Sequence, residues 1–566
     1  MSLGNALQIG RSALATQQLA IEVTGNNLAN LATEGFHRRR TILEPSRSRE
    51  VVTGTFVGRG VQTQAISRQV DNALEARIRT NIADQSFSLA RRDVLSQIEA
   101  LFNEFSDADL STHLNEFFNA WSELSNGAAD QSLRTVVLRQ ASNLVHFVQT
   151  LRADMLDLRS QVDGAIDGNA TAANDLLEQI ELVNRQIITG GGFNGGAPAL
   201  RDQRDGLLAQ LGEYLDISVN EHQSGAIDVF VGSMPVILNG SSRGLQVRRE
   251  SIDGAMEIDL VTSVDERLVV AASGTLASLI DARRADVNDA IARLDDFANQ
   301  LIFEINRVHS QGEGLTGFDS VTGANRVLDL AATLNDEQTG LNFTAQHGSF
   351  DLIIRQKSTN HRTTHTIDVD LDGIDPANDA TLPDIVAAID AIDGVSASIS
   401  TDGRLVVDSD GSDFEFIFNR DSSGALAALG VNSFFSGSHA GDISVNPVVD
   451  QNPSLLAAAR DGSDNRNALD LAALKDEPIA ALEGQTLLES WNRYVEEYAV
   501  RLSQANQQLD AEALVGDNLA AQQQSTSGVN ADEEVINLLT YQRAYQGSAR
   551  FLQVVDELLE TLLSLV

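Results

Sequence analysis

Residues 527–566 read SGVNADEEVINLLTYQRAYQGSARFLQVVDELLETLLSLV and carry apolar residues at helical spacing. Asn530, followed three residues later by Glu533, has the form of a helix N-cap with a reciprocal capping carboxylate. Acidic residues in the first turn also complement the helix dipole. The pattern predicts a helix of about 35 residues that starts after Asn530 and spans on the order of 50 Å.

This predicted helix carries one apolar stripe. Its members follow alternating steps of three and four residues, which is the spacing of a coiled-coil seam. They are Leu538, Tyr541, Tyr545, Ser548, Leu552, Val555, Leu559, Leu562 and Val566. A seam this regular requires partner helices, and the helix is too long to be covered within one small globule. We therefore predict that Leu538, Tyr541, Tyr545, Leu552, Val555, Leu559 and Leu562 lie at an assembly interface. The alternative is that the stripe packs within its own subunit.

The opposite end of the sequence carries a similar stripe, with small alanines beside it. Its apolar members are Leu3, Leu7, Leu14, Ile21 and Leu28. The pattern ends around Gly35, a plausible C-cap, just before the basic run from His37 to Arg40. Both ends are thus predicted to be amphipathic helices that carry assembly.

Composition excludes several classes of protein. The formal net charge of -40 argues against a nucleic-acid partner, because phosphates would be repelled. With no cysteine, the chain has no disulfide, no thiolate metal site and no thiol nucleophile. Polar residues and glycines interrupt the first twenty positions, and no apolar run reaches 18 residues. We therefore expect neither a cleavable signal peptide nor a membrane-spanning helix.

The apolar spacing changes period along the sequence. It is helical from Val70 to about Leu211, with predicted breaks at 126–127, 163–168 and 190–196. Short alternating runs then indicate strands, helix resumes from Leu276 to Val308, and a second strand-rich region contains one predicted helix at Leu382–Ile392. Helices return from Asn452 to Gln524.

These patterns predict an α+β multidomain fold, in which a helical bundle and coiled-coil framework from both chain ends carries two inserted β-rich domains. The predicted segments are 1–69 (N-terminal coiled-coil helix and extended arm), 70–213 (helical bundle), 214–273 (small β-rich domain), 274–314 (helical return), 315–445 (second β-rich domain), 446–526 (helical bundle, C-terminal part) and 527–566 (C-terminal coiled-coil helix).

Two local patterns suggest metal chemistry. The aspartates at 368, 370 and 372 resemble the opening of a calcium loop, but they alternate with apolar residues as on a half-buried strand. The His361 and His365 pair has the spacing of a zinc site on a helix, yet its surroundings indicate a strand. We predict a solvated strand and a surface pair, with no catalytic, metal-binding or cofactor-binding residues.

The basic run Arg38-Arg39-Arg40 has two interpretations. Beside an amphipathic helix it could bind an anionic membrane surface. The acidic balance of the rest of the sequence favours pairing with carboxylates, for which arginine offers bidentate contacts.

Four stretches carry a family resemblance. Residues 26–36, NNLANLATEGF, followed by Arg38, closely resemble the N-terminal motif of the axial proteins of the bacterial flagellum, which are rod, hook and hook-associated proteins. The C-terminal stretch 527–545 is similar to that of the hook-associated members. Two internal stretches, 200–211 and 464–469, are also similar to theirs. Phe36 stands where tyrosine is usual in this family.

The resemblance implies a structural protein without enzymatic activity. It implies a place at the junction between hook and filament, where copies of the chain form a ring around the flagellar axis through their terminal helices. Implied partners are the hook protein, the second hook-filament junction protein, and an export chaperone that covers the C-terminal helix before type III export. The implied location is extracellular.

The sequence alone leaves other functions open. The protein could be another axial protein of the same family, namely the second junction protein, a hook protein or a flagellin. It could instead be an enzyme, with the 317–441 region as a metal-dependent domain on a helical stalk. A third alternative is a secreted protein that inserts its terminal helices into membranes.

Overall fold

The computed structural model of the chain describes residues 3–33, 35–52, 55–102, 109–190, 197–252, 255–374, 379–462 and 464–564. Most of the predicted connector at 190–196 therefore lies outside the described residues. The chain forms two compact units. Unit 1 comprises Met1–Val94, Gln161–Arg283 and Ser503–Val566. Unit 2 comprises Leu95–Ser160 and Arg284–Leu502.

Helices make up most of the described chain. The α-helices are α1 Leu3–Ala29, α2 Asn72–Phe102, α3 Leu110–Ser125, α4 Gln131–Thr189, α5 Pro198–Tyr214, α6 Thr275–Ala282, α7 Asn288–His309, α8 Leu382–Asp390, α9 Ala425–Leu429, α10 Pro447–Gln451, α11 Arg466–Ala473, α12 Leu487–Ser527 and α13 Ala531–Ser564. A π-helical turn, Arg283–Val287, connects α6 to α7.

The strands are short and antiparallel. They are β1 Arg39–Pro45, β2 Arg49–Val52, β3 Thr55–Val57, β4 Val61–Arg68, β5 Ile217–Glu221, β6 Ile227–Val231, β7 Met234–Leu238, β8 Ser241–Ser242, β9 Leu245–Ile252, β10 Ala255–Thr262, β11 Ser320–Thr322, β12 Gly348–Gln356, β13 His361–Val369, β14 Val395–Ile399, β15 Leu405–Ser409, β16 Phe414–Asn419, β17 Phe435–Ser436 and β18 Ser444–Val445.

Unit 1 contains the two terminal helices, α1 and α13, which pack along each other. Strands β1 and β4 form a two-stranded sheet that also contacts α1. The strands β5 to β8 form a four-stranded antiparallel sheet in sequential order, and β9 pairs with β10. The inner face of the four-stranded sheet is apolar, with Val229, Val231 and Ile237 fully buried.

Unit 2 holds the second group of strands. One three-stranded sheet has the order β13-β12-β16, and another has the order β11-β15-β14. Their buried side chains, among them Phe350, Val407 and Phe416, share one core with Leu382 and Ile385 of α8. A separate aromatic cluster joins Phe117 and Trp121 of α3 to Phe434, whose ring centroid lies 5.5 Å from that of Trp121.

Several predicted elements are confirmed. Helix α13 begins directly after Asn530, whose Oδ1 accepts hydrogen bonds from the backbone N–H groups of Asp532 and Glu533. The predicted helix at Leu382 is present, and a capping box formed by Thr381 and Asp384 starts it. The strands β5 to β10 lie between residues 217 and 262, and β11 to β18 lie between residues 320 and 445.

Two boundaries were predicted wrongly. Helix α4 runs without interruption through the break expected at 163–168, because Val162, Ile166 and Ala170 continue its buried stripe and packing outweighs the low helix propensity of glycine. Helix α1 ends at Ala29 instead of near Gly35. The backbone N–H and C=O of Arg39 both bond to the Asn27 side chain, so the chain reverses direction between these two residues instead of continuing the helix.

Candidate functional site

The two terminal helices run antiparallel, as two contacts along their length show. Near one end of the pair Leu552 lies directly on Gly10, where an added Cβ would come within 2.6 Å of Leu552 Cδ2. Near the other end the Asn27 amide donates a hydrogen bond to Glu534 Oε2 at 3.0 Å. The helix partner of the C-terminal seam is therefore α1 of the same chain.

The predicted seam residues are covered to different degrees. Val555 is buried, whereas Tyr545 is 38% and Leu562 is 48% exposed. The others are half-buried, namely Leu3, Leu7, Leu14, Ile21, Leu28, Leu538, Tyr541, Leu552 and Leu559. The seam thus packs the two terminal helices of one chain together, but most of its side chains stay partly exposed. Its role between copies remains a prediction.

A polar contact fixes the start of α13. Arg38 Nε donates to Glu534 Oε1 at 2.8 Å, and its Nη1 donates to Glu533 Oε2 at 2.8 Å. Glu534 is only 2% exposed, so its charge needs these partners. The Arg38 backbone N–H also donates to the carbonyl of Ser527, just before the helix begins. The Glu533 carboxylate, predicted to complete a reciprocal cap, binds this arginine.

A second polar group adjoins the first. Buried His37 lies between two carboxylates, with its Nδ1 at 3.0 Å from Asp202 Oδ1 and its Nε2 at 3.5 Å from Glu75 Oε1. Asp202 also accepts hydrogen bonds from Arg39 Nη2 and from Arg68 Nη1. This group connects the segment after α1 to α2 and α5.

Together these contacts form what we call the polar cluster, defined as Asn27, His37, Arg38, Arg39, Arg68, Glu75, Asp202, Asp205, Glu533 and Glu534. The N-terminal motif, the C-terminal motif and the internal stretch 200–211 each contribute residues to it. Three stretches that are far apart in sequence therefore meet at one place in unit 1. The predicted pairing of the basic run with carboxylates is confirmed for Arg38 and Arg39.

Hydrogen bonds within the cluster stabilise the charged forms of His37 and Asp202. Burial alone would lower the pKa of His37, but hydrogen bonds to Asp202 and Glu75 outweigh it and raise the pKa to about 9. For Asp202, burial favours the neutral form, yet hydrogen bonds from His37, Arg68 and Arg39 bring its pKa below the ordinary value. At neutral pH the imidazolium therefore donates to both carboxylates.

The raised pKa of His37 predicts a pH-dependent stability. In the unfolded chain the pKa is near 6.5, so the folded state binds the proton more tightly, and this contribution of roughly 3 kcal/mol is complete below pH 6.5. It is lost as the pH rises through 9. We expect a His37→Gln variant to melt below the wild type at pH 6, with a difference that largely disappears at pH 9.5. A constant difference in melting temperature at both pH values would contradict this protonated state.

An open cleft lies beside the cluster. Its volume is about 360 Å³, and its walls include Arg38, Arg40, Glu533 and Tyr541. The lining mixes both signs of charge with apolar side chains. Such a surface suits contacts with protein better than the binding of a small anion.

The other predicted patterns lie in unit 2. Asp368 is exposed while Ile367, Val369 and Leu371 are buried, which confirms the half-buried alternation. His361 and His365 lie on strand β13, as predicted.

Carboxylate oxygens of Asp370, Asp372 and Asp379 lie within 4.8 Å of one another. Surface acidic groups often approach this closely without an ion, so the cluster alone defines no metal site. In the described part of the chain, no helix combines the length and apolarity needed to cross a bilayer.

The sequence patterns did not predict that Asn27, Glu75, Asp202 and Asp205 belong to one site. Their partners lie far away along the chain, for example 165 residues for His37 and Asp202. The family resemblance does contain a usable signal, because Asn27, Asp202 and Glu534 all lie in stretches that carry it.

Comparison with family models identifies the same stretches. The model described as the flagellar hook-associated protein FlgK helical domain matches residues 95–325. The flagellar basal body rod FlgEFG protein C-terminal model matches residues 521–565, and the flagella basal body rod protein model matches residues 7–37. The two terminal matches contain α13 and most of α1, respectively.

Curated relatives are similar along nearly the whole chain. Flagellar hook-associated protein 1 of Bacillus subtilis is 24% identical over 573 residues, which cover 99% of this chain and 97% of that protein. The protein of the same name from Salmonella typhimurium is 26% identical over 581 residues, with 98% of each chain covered.

A solved structure has a similar fold. It is that of the flagellar hook junction protein FlgK from Burkholderia pseudomallei, with a TM-score of 0.50 and 14% sequence identity. The match covers 80% of this chain and 100% of that one. The likeness concerns the fold, which is α+β with helices at both termini.

Proposed function

This chain is a homologue of flagellar hook-associated protein 1 along nearly its whole length, and from that premise we propose how it acts. It is a structural component of the bacterial flagellum at the junction between hook and filament. Its terminal helices form the part that assembles with copies of itself and with neighbouring axial proteins. The partners we propose are the hook protein on one side and the second hook-filament junction protein on the other.

One observation carries the proposal. The polar cluster joins the N-terminal motif, the C-terminal motif and the stretch 200–211 around buried ion pairs. Its geometry holds α1 and α13 in a fixed pair. A fixed helix pair with large apolar side chains on its surface is suited to assembly.

The proposal includes the way in which the chain reaches the hook-filament junction. We propose export by the flagellar type III apparatus, with a cytoplasmic chaperone that covers α13 until then. The exposed apolar residues of α13 support this step, because they would otherwise promote aggregation before assembly. Ile536, Val554 and Leu563 are exposed by 64%, 54% and 76%.

Localisation in intact flagella tests the function. Gold-labelled antibody against this chain should mark a narrow zone at the tip of the hook, and cells that lack the chain should carry hooks without filaments. Label along the filament would show a flagellin-like protein, and label along the hook would show a hook protein. Either pattern would refute the proposed place.

A further inference from the structure

Strand β13 of unit 2 lies at the edge of its sheet. The sheet has the order β13-β12-β16, and among the described strands β13 pairs with β12 alone. The pairing is regular from His361 to Val369, without a bulge. The strand contains no proline or lysine, and most of its residues are exposed. Long, regular and exposed edges accept a further strand readily, because they present unpaired backbone groups.

The register of the sheet shows which backbone groups point outward at this edge. Phe416 of β16 exchanges both of its backbone hydrogen bonds with Phe318, so its backbone groups point away from β12. Its partner on β12 is Ile354, whose backbone groups must therefore point toward β13. Ile354 in turn pairs with Thr363. Thr363 thus bonds to β12, and the residues on either side of it point outward, because the direction alternates along a strand.

Alternate residues of β13 therefore direct both backbone groups, N–H and C=O, away from the sheet. These residues are Arg362, Thr364, Thr366 and Asp368. In the described part of the chain, their outward groups have no hydrogen-bond partner in another backbone segment. Arg362 is half-buried, whereas Thr364, Thr366 and Asp368 are exposed. A second strand can therefore reach the whole edge.

The order of side chains along the edge is self-complementary. It runs from the cation Arg362 through two threonines to the anion Asp368. When a second β13 lies antiparallel, with His365 opposite His365, each Arg362 faces the Asp368 of the other copy and Thr364 faces Thr366. Opposite charges and threonine pairs stabilise strands in these positions, whereas a parallel copy in register would place like charges opposite each other. Arg362 also binds the buried carboxylate of Glu313 through Nη2, and its guanidinium has further donors for a second carboxylate.

We propose that two copies of this chain pair through β13 in a two-fold antiparallel contact, which joins their three-stranded sheets into one continuous sheet. The self-complementary order of charges selects a second copy as the occupant of the edge. The contact uses the free edge of both copies, so it joins chains in pairs and extends neither into a ring nor into a fibre. It is therefore distinct from the assembly of the terminal helices and does not rest on the proposed function. It also covers an edge that would otherwise promote aggregation.

A single cysteine tests the contact, because the natural sequence has none. In the proposed register the two copies of residue 365 form a non-hydrogen-bonded pair with Cα atoms about 4.5 Å apart, a distance that a disulfide spans. We expect purified full-length His365→Cys to form a disulfide-linked dimer under mild oxidation. The matched control is His361→Cys, which is more exposed on the same strand. Its two copies lie roughly 26 Å apart, because residue 361 faces residue 369 of the other copy. A dimer yield for His365→Cys no higher than that of this control would overturn the proposal.

A charge reversal in the same assay tests the pairing of Arg362 with Asp368. Asp368→Arg places arginine opposite Arg362 at both ends of the contact and should lower the yield of the His365→Cys dimer by about tenfold. Asp408→Arg makes the same change of charge at an exposed position of β15, and it should leave the yield unchanged. Thermal unfolding should be the same for both variants, which separates a lost contact from a damaged fold. Equal dimer yields from the two variants would overturn the proposed antiparallel register.

Discussion

Replacing Arg38 with glutamine is expected to destabilise the docking of α13 by about 3 kcal/mol or more, because it leaves the buried Glu534 carboxylate without its cation. In the native chain that carboxylate is 2% exposed and accepts hydrogen bonds from Arg38 and Asn27. Amide hydrogen exchange should show the effect directly. Protection in the first turns of α13 should fall by roughly a hundredfold, while the strands of unit 2 keep theirs.

The neighbouring arginine supplies the control. Arg40→Gln removes the same charge from the same basic run at an exposed position, and we expect it to leave exchange in α13 unchanged. A second change separates the ion pair from general damage. Adding Glu534→Gln to the Arg38→Gln chain removes the stranded charge and should recover part of the protection. Equal protection in wild type and Arg38→Gln would show that the pair does not hold the helix.

Local signals in the sequence were sufficient wherever the structure is decided within a few residues. The Asn530 cap, the helix that starts at Leu382, and the alternation around Asp368 were all readable from residue types and spacing. The uninterrupted course of α4 through Gly164 could not be predicted in this way. Its stability comes from burial of the α4 stripe against other elements, which overrides the local preference of glycine.

The candidate site could be predicted only in part. The apolar stripe of α13 was foreseeable from its heptad spacing, but the identity of the helix that packs on it was not, because periodicity does not say which element covers a stripe. The polar cluster depends on contacts across hundreds of residues, such as Asn27 with Glu534. In the sequence, only the family resemblance linked the stretches that contain these residues. The structure supplies the physical reason, because their side chains meet in the polar cluster.

Disruption of the seam is expected to have the largest effect on function. Leu552 and Leu559 are one seven-residue step apart on the half-buried face of α13, and Leu552 packs on Gly10. Replacing both leucines with aspartate removes apolar burial and places two carboxylates against α1, at a combined cost of about 4 kcal/mol or more. We expect cells that make only this variant to carry hooks without filaments and to be non-motile, as soft-agar spreading and electron microscopy would record.

The matched control uses two apolar residues that contact no seam. Leu514 and Val515 on α12 are 65% and 48% exposed, so aspartate at both should leave filaments and motility intact. Thermal unfolding of the purified seam variant should retain the transition of unit 2, whose core contains no residue of α1 or α13. A retained core separates a failure of assembly from a failure of folding. Normal filaments on cells with the Leu552 and Leu559 variant would mean that α13 is held by the polar cluster alone, and the seam would then have no role in attachment.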